Sequence, residues 1–352
     1  MANMVSPEAV APAPERIARA AGILFVGPKG RILLAHRTDG EGWAFPGGGI
    51  EDEESAEDAA RREAFEETGR KYDGPLTPWT RRVSNSVDFT TFLARTSEFE
   101  PELNEEHDRC QWVDREFALN TVMGSSGLHF GVPIALRRFD MDELGIAEAI
   151  QSGELTSPQR YQNLLLIAIR ITGTGVAYRG AYDEFPFRDP ALYMTPEFVK
   201  RCNGLPVILE HPKGNMLDTG EFRRRTVGTV FLPYLRHDVN EVWAIAKIWS
   251  APVAEMLETE KMSTSPAVIC GGAKVPLEDG STLLIEAKPR LLDHIALLFA
   301  DENGEGGKGV WDKLGPMAGV ESIDATAPQD LAKLDAVVRG TKLYQLGELI
   351  SR

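Results

Sequence analysis

Three glutamates in the first third of the chain stand at a spacing that can do chemistry. Glu63, Glu66 and Glu67 fall at i, i+3 and i+4, which on a helix turns their carboxylates onto one face. Like charges gathered in this way repel one another unless a cation joins them. Hard oxygen ligands in that number suit Mg²⁺ or Mn²⁺, an ion that bridges phosphate oxygens, neutralises developing charge and activates a water. A pyrophosphate is the substrate group it would engage. A run of glutamates is also the ordinary make-up of a solvated helix face, so the flanking residues decide. They form a fixed pattern: Gly48, five residues, Glu54, seven residues, Arg62-Glu63, then Ala64-Phe65-Glu66-Glu67-Thr68-Gly69. At average residue frequencies its seven fixed positions coincide about once in a hundred million starting points. Gly47, Gly48 and Gly49 let the backbone bend tightly and approach a substrate, and Glu54 with Arg62 can tie that loop to the helix. Arg37 and Trp43 are candidate contacts to a base or phosphate, with packing beside the Pro-Gly turn as the alternative for Trp43.

A second set lies in the C-terminal half. His211 ends the apolar run Leu205 to Leu209, His294 sits inside Leu291 to Leu297, and Lys261-Met262-Ser263-Thr264-Ser265-Pro266 lies between them. A histidine can take a serine proton at neutral pH while a further polar group holds its tautomer, so these residues make a workable nucleophile, base and orienter. The bland alternative is a pair of hydrogen-bonded core histidines and a turn serine.

The elements that must carry these groups are legible in outline. Ile23 to Ala35 is two apolar strands about a Gly-Pro-Lys-Gly turn. Ser55 to Thr68 has helix-forming composition, a capping box in Ser55 and Asp58, and Gly69 as its stop. Strands are expected at Val87 to Ala94 and near Cys110 to Val113, and a helix from Met141 to Gln151. The turn-rich Ser152 to Pro158 marks a domain boundary. Beyond it come short strands rich in Ile, Val and Trp, as at 164–172, 206–210, 227–232 and 242–249. Helical spacing is present at 251–260 and 330–350, and 301–308 is a polar, glycine-rich loop.

The pattern from Gly48 to Gly69 resembles the Nudix box, and the resemblance runs from about Ala20 to Phe139. It implies a mixed sheet between helices and hydrolysis of a nucleoside diphosphate linked to another moiety, with Glu63, Glu66 and Glu67 as metal ligands and Glu66 and Glu67 also catalytic. It further implies a carboxylate base drawn from a loop outside the box, for which Glu106 in Asn104-Glu105-Glu106-His107 is the candidate. Ala64 and Arg70 depart from the pattern at packing positions. The strings LEHP (209–212), VGTV (227–230), the serine block and DHIAL (293–297) look like those of phage prohead-protease-like proteins, which share a β-barrel with herpesvirus assemblins. This second resemblance implies His211 as general base, His294 as third member and Ser265 as nucleophile, with Ser263 a close competitor. The expected fold class is α+β: a Nudix α/β/α sandwich followed by a β-rich, assemblin-like barrel with flanking helices.

Length and charge bound these readings. The 352 residues favour two domains at about 100 to 150 residues each. The expected division is a flexible 1–19, a Nudix domain at 20–140, a helical linker at 141–160, a protease-like domain at 161–300, and a loop with a C-terminal helix at 301–352. Apolar residues at 43% and charged ones at 26% exclude a disordered or fibrous chain. No apolar run approaches the roughly 20 residues of a membrane-spanning helix, and the first 22 residues lack a secretory pattern, so a host cytoplasmic or prohead location is expected. A net charge of −15 opposes binding to nucleic acid or anionic membranes and favours divalent cations. Three widely spaced cysteines support neither a disulfide framework nor a zinc site. The partners expected are a nucleotide-type small molecule and phage capsid or scaffold proteins. The alternative to two enzymes is a capsid-assembly protein whose domains only bind.

Overall fold

The computed structural model describes residues 17–84, 86–120, 127–179, 184–214, 216–260, 262–277, 280–299 and 309–311. The chain divides into two compact units, Met1–Asp140 and Met141–Arg352.

In the first unit the order is β1 (Ala18–Val26), β2 (Ile32–Arg37), β3 (Trp43–Ala44), β4 (Gly47–Gly49), α1 (Ala56–Thr68), β5 (Thr77–Val83), β6 (Val87–Arg95), β7 (His107–Val113), α2 (Arg115–Asn120) and α3 (Val132–Arg137). The hairpin expected at Gly27 to Gly30 joins β1 to β2, closed by Gly27 N–H donating to Arg31 O at 2.8 Å. The sheet runs β3-β2-β1-β6-β5, with β4 also on β1 and β7 on β2, and β1 lies parallel to β6. Alternation along β1 divides the core. Ala21, Ile23 and Phe25 pack with Ala59, Ala60 and Ala64 of α1, while Leu24 and Val26 pack with Ala118, Val132, Ala135 and Leu136. Helices thus cover both faces of a mixed sheet. Ala64, where a larger residue is usual in the resembling pattern, is fully buried among the small residues of that α1 face.

Helix α1 has both ends its sequence specifies. Ser55 Oγ accepts from Asp58 N–H at 3.1 Å and donates to the Asp58 carboxylate at 2.7 Å. Gly69, at φ 65°, donates its N–H to Phe65 O.

The second unit begins with α4 (Glu143–Gln151), then β8 (Gln159–Tyr161), β9 (Leu164–Gly173), β10 (Gly175–Val176), β11 (Glu184–Arg188), α5 (Pro190–Tyr193), α6 (Pro196–Cys202), β12 (Pro206–Leu209), α7 (Thr219–Arg225), β13 (Thr226–Arg236), β14 (Glu241–Ile248), α8 (Ala251–Thr259), β15 (Met262–Ile269), β16 (Gly272–Pro276), β17 (Thr282–Glu286) and β18 (Leu291–Phe299). The segment 141–160, expected as a linker, holds α4, which buries Ile146, Ala147, Ala149 and Ile150 and groups with this unit. A seven-stranded sheet runs β15-β18-β12-β13-β14-β9-β8 and a four-stranded one β10-β11-β17-β16. Strands β12 and β18 are a parallel pair, and Val207, Ile208, Ile295, Ala296 and Leu297 are all buried, as suits strands covered on both faces.

The sheets are open, which corrects the expected barrel. Closure would need a ladder between β15 and β9, and none joins them among the described residues. Instead the Thr264 hydroxyl donates to Arg170 O at 2.5 Å, and Gly309 lies against the Thr264 carbonyl. A side chain and a glycine take the place of backbone pairing. The loop expected at 301–308 and the helix at 330–350 lie outside the described residues, as does most of 1–19. Among the described residues no helix is long and apolar enough to cross a membrane.

Candidate functional site

In the first unit β4 crosses β1 so closely that a Cβ on Gly47 would overlap the backbone of Gly22 and Ala21. A Cβ on Gly48 would meet the Glu63 carboxylate at 2.6 Å. Gly47 is therefore required by its approach to backbone, whereas at Gly48 it is the end of the Glu63 side chain that would have to move. The gain is a contact between loop and helix: Gly47 N–H donates to Glu67 Oε2 at 2.9 Å, in a buried position. The Glu54 and Arg62 ion pair expected from the spacing is bidentate, with Nε and Nη2 each 3.0 Å from a carboxylate oxygen. Arg62 Nη2 also donates to Gly49 O at 2.8 Å, and Nη1 reaches Glu63 at 2.8 Å and Glu66 at 3.3 Å.

Glu67 is 2% exposed, and burial pushes its carboxyl up to about 8, with the charges of Glu63 and Glu106 adding to the rise and the Gly47 N–H and Arg37 opposing it. Burial also raises Glu63, against Arg62, with Glu66 and Glu106 again adding. Glu106 itself is exposed on the loop before β7, its backbone held by Asn104 and Thr38. The structure thus brings Glu106 into the field of both helix glutamates. Arg37 lies within the field of Glu67, and its guanidinium pairs with Asp39, a residue that no motif singles out.

Among the described residues no three His, Cys, Asp or Glu side chains are gathered as a finished metal cage. Glu63 and Glu66 are turned to Arg62 and Glu67 to the Gly47 amide. The donor set nevertheless fits a hard divalent ion: carboxylates on one helix, mutually repelling and partly desolvated, have an unmet need for positive charge. Trp43 occupies the packing position that was its alternative reading. It is 3% exposed within the apolar core, with His36 at 5.1 Å and Arg109 at 5.6 Å from its ring.

In the second unit His211, Ser265 and His294 come together, from the end of β12, from β15 and from β18. His211 Nε2 lies 2.8 Å from Ser265 Oγ, and His211 Nδ1 lies 2.8 Å from His294 Nε2. Register explains the meeting: β18 lies between the other two strands, with Ser265 opposite Ala296 and Val207 opposite Ile295. The chain leaves β12 through Glu210 in the left-handed region at φ 52°, directly before His211. Burial pushes the His211 ring down to about 4, with His294 adding to the effect. Its partner His294 is fully buried. Ser263 is engaged elsewhere, its buried hydroxyl accepting from Gly309 N–H at 2.9 Å. The residue that sequence reasoning missed is Asp293, whose Oδ2 lies 2.7 Å from His294 Nδ1. Its only signal was adjacency to His294.

Residues 16–126 match the family model described as NUDIX domain. An RNA pyrophosphohydrolase of Pasteurella multocida (strain Pm70) is 52% identical over 48 residues, 14% of this chain and 24% of that protein. The RNA pyrophosphohydrolase of Haemophilus influenzae (strain PittEE) is 50% identical over 48 residues, with the same shares. The chain spans about a quarter of the length of these curated relatives. Among solved structures, the MutT protein from Methanosarcina mazei Go1 is 24% identical, with 36% of this chain and 96% of that one covered at a TM-score of 0.31.

Proposed function

We propose that the first unit hydrolyses a pyrophosphate linkage in a nucleotide-type substrate with Mg²⁺ or Mn²⁺. The observation that carries this reading is Glu67, a carboxylate 2% exposed and anchored by the Gly47 amide at the crossing of the glycine strand and α1. Glu63, Glu66 and Glu67 would hold the ion, which when bound supplies charge neutralisation at the phosphates and a more acidic water. The chain's own residues do the rest. Arg62, fixed by Glu54, holds Glu63 and Glu66 in reach; Glu106 takes the proton of the attacking water; Arg37 faces substrate phosphate. Similarity to RNA pyrophosphohydrolases puts RNA among the substrates to test, while the net charge of −15 favours a small nucleotide. Phosphate and pyrophosphate release across such a panel, for wild type and Glu67→Gln, tests the reading. Turnover that survives Glu67→Gln contradicts it.

A specific observation favours a second activity in the other unit. The 2.8 Å contacts from Ser265 to His211 and from His211 to His294 are those a serine hydrolase uses, and they support a capsid-maturation type of peptidase with Ser265 as nucleophile. The phage setting, and capsid or scaffold proteins as substrates, rest on the resemblance of the motif strings. In the reaction Ser265 Oγ bonds to the peptide carbonyl carbon, its proton passes through His211 to the leaving amine, and water releases the acyl group. Purified protein is expected to shorten on incubation and Ser265→Ala to stay intact. If both stay intact and both bind capsid protein, the unit is a binding module.

A further inference from the structure

The four polar side chains of the second site form a line in which every contact is between one pair of atoms. Asp293 Oδ2 meets His294 Nδ1 at 2.7 Å, His294 Nε2 meets His211 Nδ1 at 2.8 Å, and His211 Nε2 meets Ser265 Oγ at 2.8 Å. An ionised carboxylate only accepts, so the proton at the first contact belongs to His294 Nδ1. A neutral imidazole carries one N–H, which leaves His294 Nε2 an acceptor, filled by His211 Nδ1–H. His211 Nε2 then has a free lone pair, and the hydroxyl of Ser265 points its proton there. We infer that Asp293 is a positioning residue that sets the direction of this proton chain, an inference that rests on reading Ser265 as the nucleophile.

The reason a positioning group is needed lies in the histidine pair itself. Two neutral imidazoles joined by one hydrogen bond, their planes 57° apart, have two self-consistent arrangements. In the opposite one His294 Nε2–H donates to His211 Nδ1, and His211 Nε2 carries a proton toward Ser265. A nitrogen already protonated cannot take the serine proton, so that arrangement is inactive. Asp293 stabilises the working arrangement because the opposite one would set the bare His294 Nδ1 lone pair against a carboxylate. When the serine proton moves to His211, the same carboxylate faces the cation that forms, one ring away.

The backbone shows how this contact is made. Consecutive strand residues project to opposite faces, so an aspartate does not ordinarily meet the histidine that follows it. Here Ala267 pairs with His294 and Val268 with Leu292, leaving Asp293 as the extra residue of a bulge on β18. The bulge re-aims the carboxylate toward the ring of its neighbour. Leu217 N–H, from the segment between His211 and α7, donates to the same Oδ2 at 2.9 Å and holds it there. The strand irregularity and the amide both serve a contact that packing alone would not require.

Two readouts on the full-length protein test this. The first is the tautomer of His294, read by long-range ¹H–¹⁵N correlation on protein labelled with ¹⁵N-histidine. Wild type is expected to show a protonated Nδ1 and a bare Nε2, and Asp293→Asn is expected to lose that single pattern. The second is the rate at which a fluorophosphonate probe labels Ser265: the Oγ–P bond forms, P–F breaks, fluoride leaves and the hydroxyl proton goes to His211 Nε2. Asp293→Asn is expected to slow labelling by about 10- to 100-fold. Asp293→Glu, which keeps the carboxylate, is expected to recover part of the rate. A protonated Nε2 on His294 in wild type overturns the inference, and so does Asp293→Asn labelling at the wild-type rate. If wild type labels no faster than Ser265→Ala, the nucleophile reading falls, and Asp293's part in that reaction falls with it even where the tautomers are as inferred.

Discussion

At the scale of single residues, the two serines of β15 separate cleanly. Ser265 faces His211, so Ser265→Ala is expected to abolish self-cleavage and probe labelling without loss of stability. Ser263→Ala is expected to leave the reaction intact but to cost about 1 to 3 kcal/mol, because the buried Gly309 N–H loses its acceptor; urea unfolding of each variant checks both. The sequence put Ser265 ahead of Ser263 by resemblance alone, since a register of two residues keeps the same strand face, and the separate partners of the two hydroxyls appear only in the fold. His211 carries a pH consequence. Its folded ring titrates at about 4 against an ordinary value of 6.5, so the unfolded chain binds a proton that the folded one refuses between those values. Stability is therefore full above pH 6.5 and falls as pH drops toward 4, by on the order of 2 kcal/mol for this partly exposed ring. Unfolding of wild type and His211→Gln across pH 4 to 7 measures it, and a wild-type slope no steeper than that of the variant contradicts it. Trp43 shows the opposite limit of the sequence: an aromatic near a glycine loop reads alike as contact or core, and the burial of its ring, 3% exposed, appears only in the fold.

At the scale of elements, the glycine strand and α1 act as one part. Gly47→Ala is expected to unfold or severely destabilise the first unit, because its Cβ meets backbone that cannot move aside. Gly48→Ala meets only the end of the Glu63 side chain, so it is expected to keep the fold and lose hydrolysis. Gly69→Ala, at φ 65° and with its Cβ 2.9 Å from Glu102 Cβ, is expected to cost more than the roughly 1 kcal/mol of the left-handed backbone alone and to spare activity. Circular dichroism melts beside turnover distinguish the three. This helix was legible in advance, cap, stop and ion pair alike, because its signals are local. What was not legible depends on strands distant in sequence: the bulge at Asp293 appears only when β15 is laid on β18, and the open edge between β15 and β9 depends on Thr264 and Gly309 meeting Arg170 and β15 across the chain. Short matching strings suggested a barrel, and pairing between edge strands is the feature such strings do not encode.

At the scale of the whole molecule, two compact units carry two separate sets of reactive groups, so each should answer its own ligand. If the first unit holds Mg²⁺ as proposed, the ion would relieve the repulsion among Glu63, Glu67 and Glu106, and adding it is expected to raise the melting transition of that unit by a few degrees, leaving the other unmoved. Scanning calorimetry with and without Mg²⁺ checks this, and Glu67→Gln should show a smaller rise. The central claim is the hydrolysis of a pyrophosphate linkage by the first unit. It is tested most directly by incubating the full-length protein with Mg²⁺ and a panel of nucleoside triphosphates, nucleotide sugars, ADP-ribose and RNA, each product revealed by added phosphatase or pyrophosphatase. At least one substrate is expected to be cut, with Glu67→Gln reducing the rate at least about 100-fold. No turnover of any substrate, or turnover unchanged in Glu67→Gln, contradicts the claim.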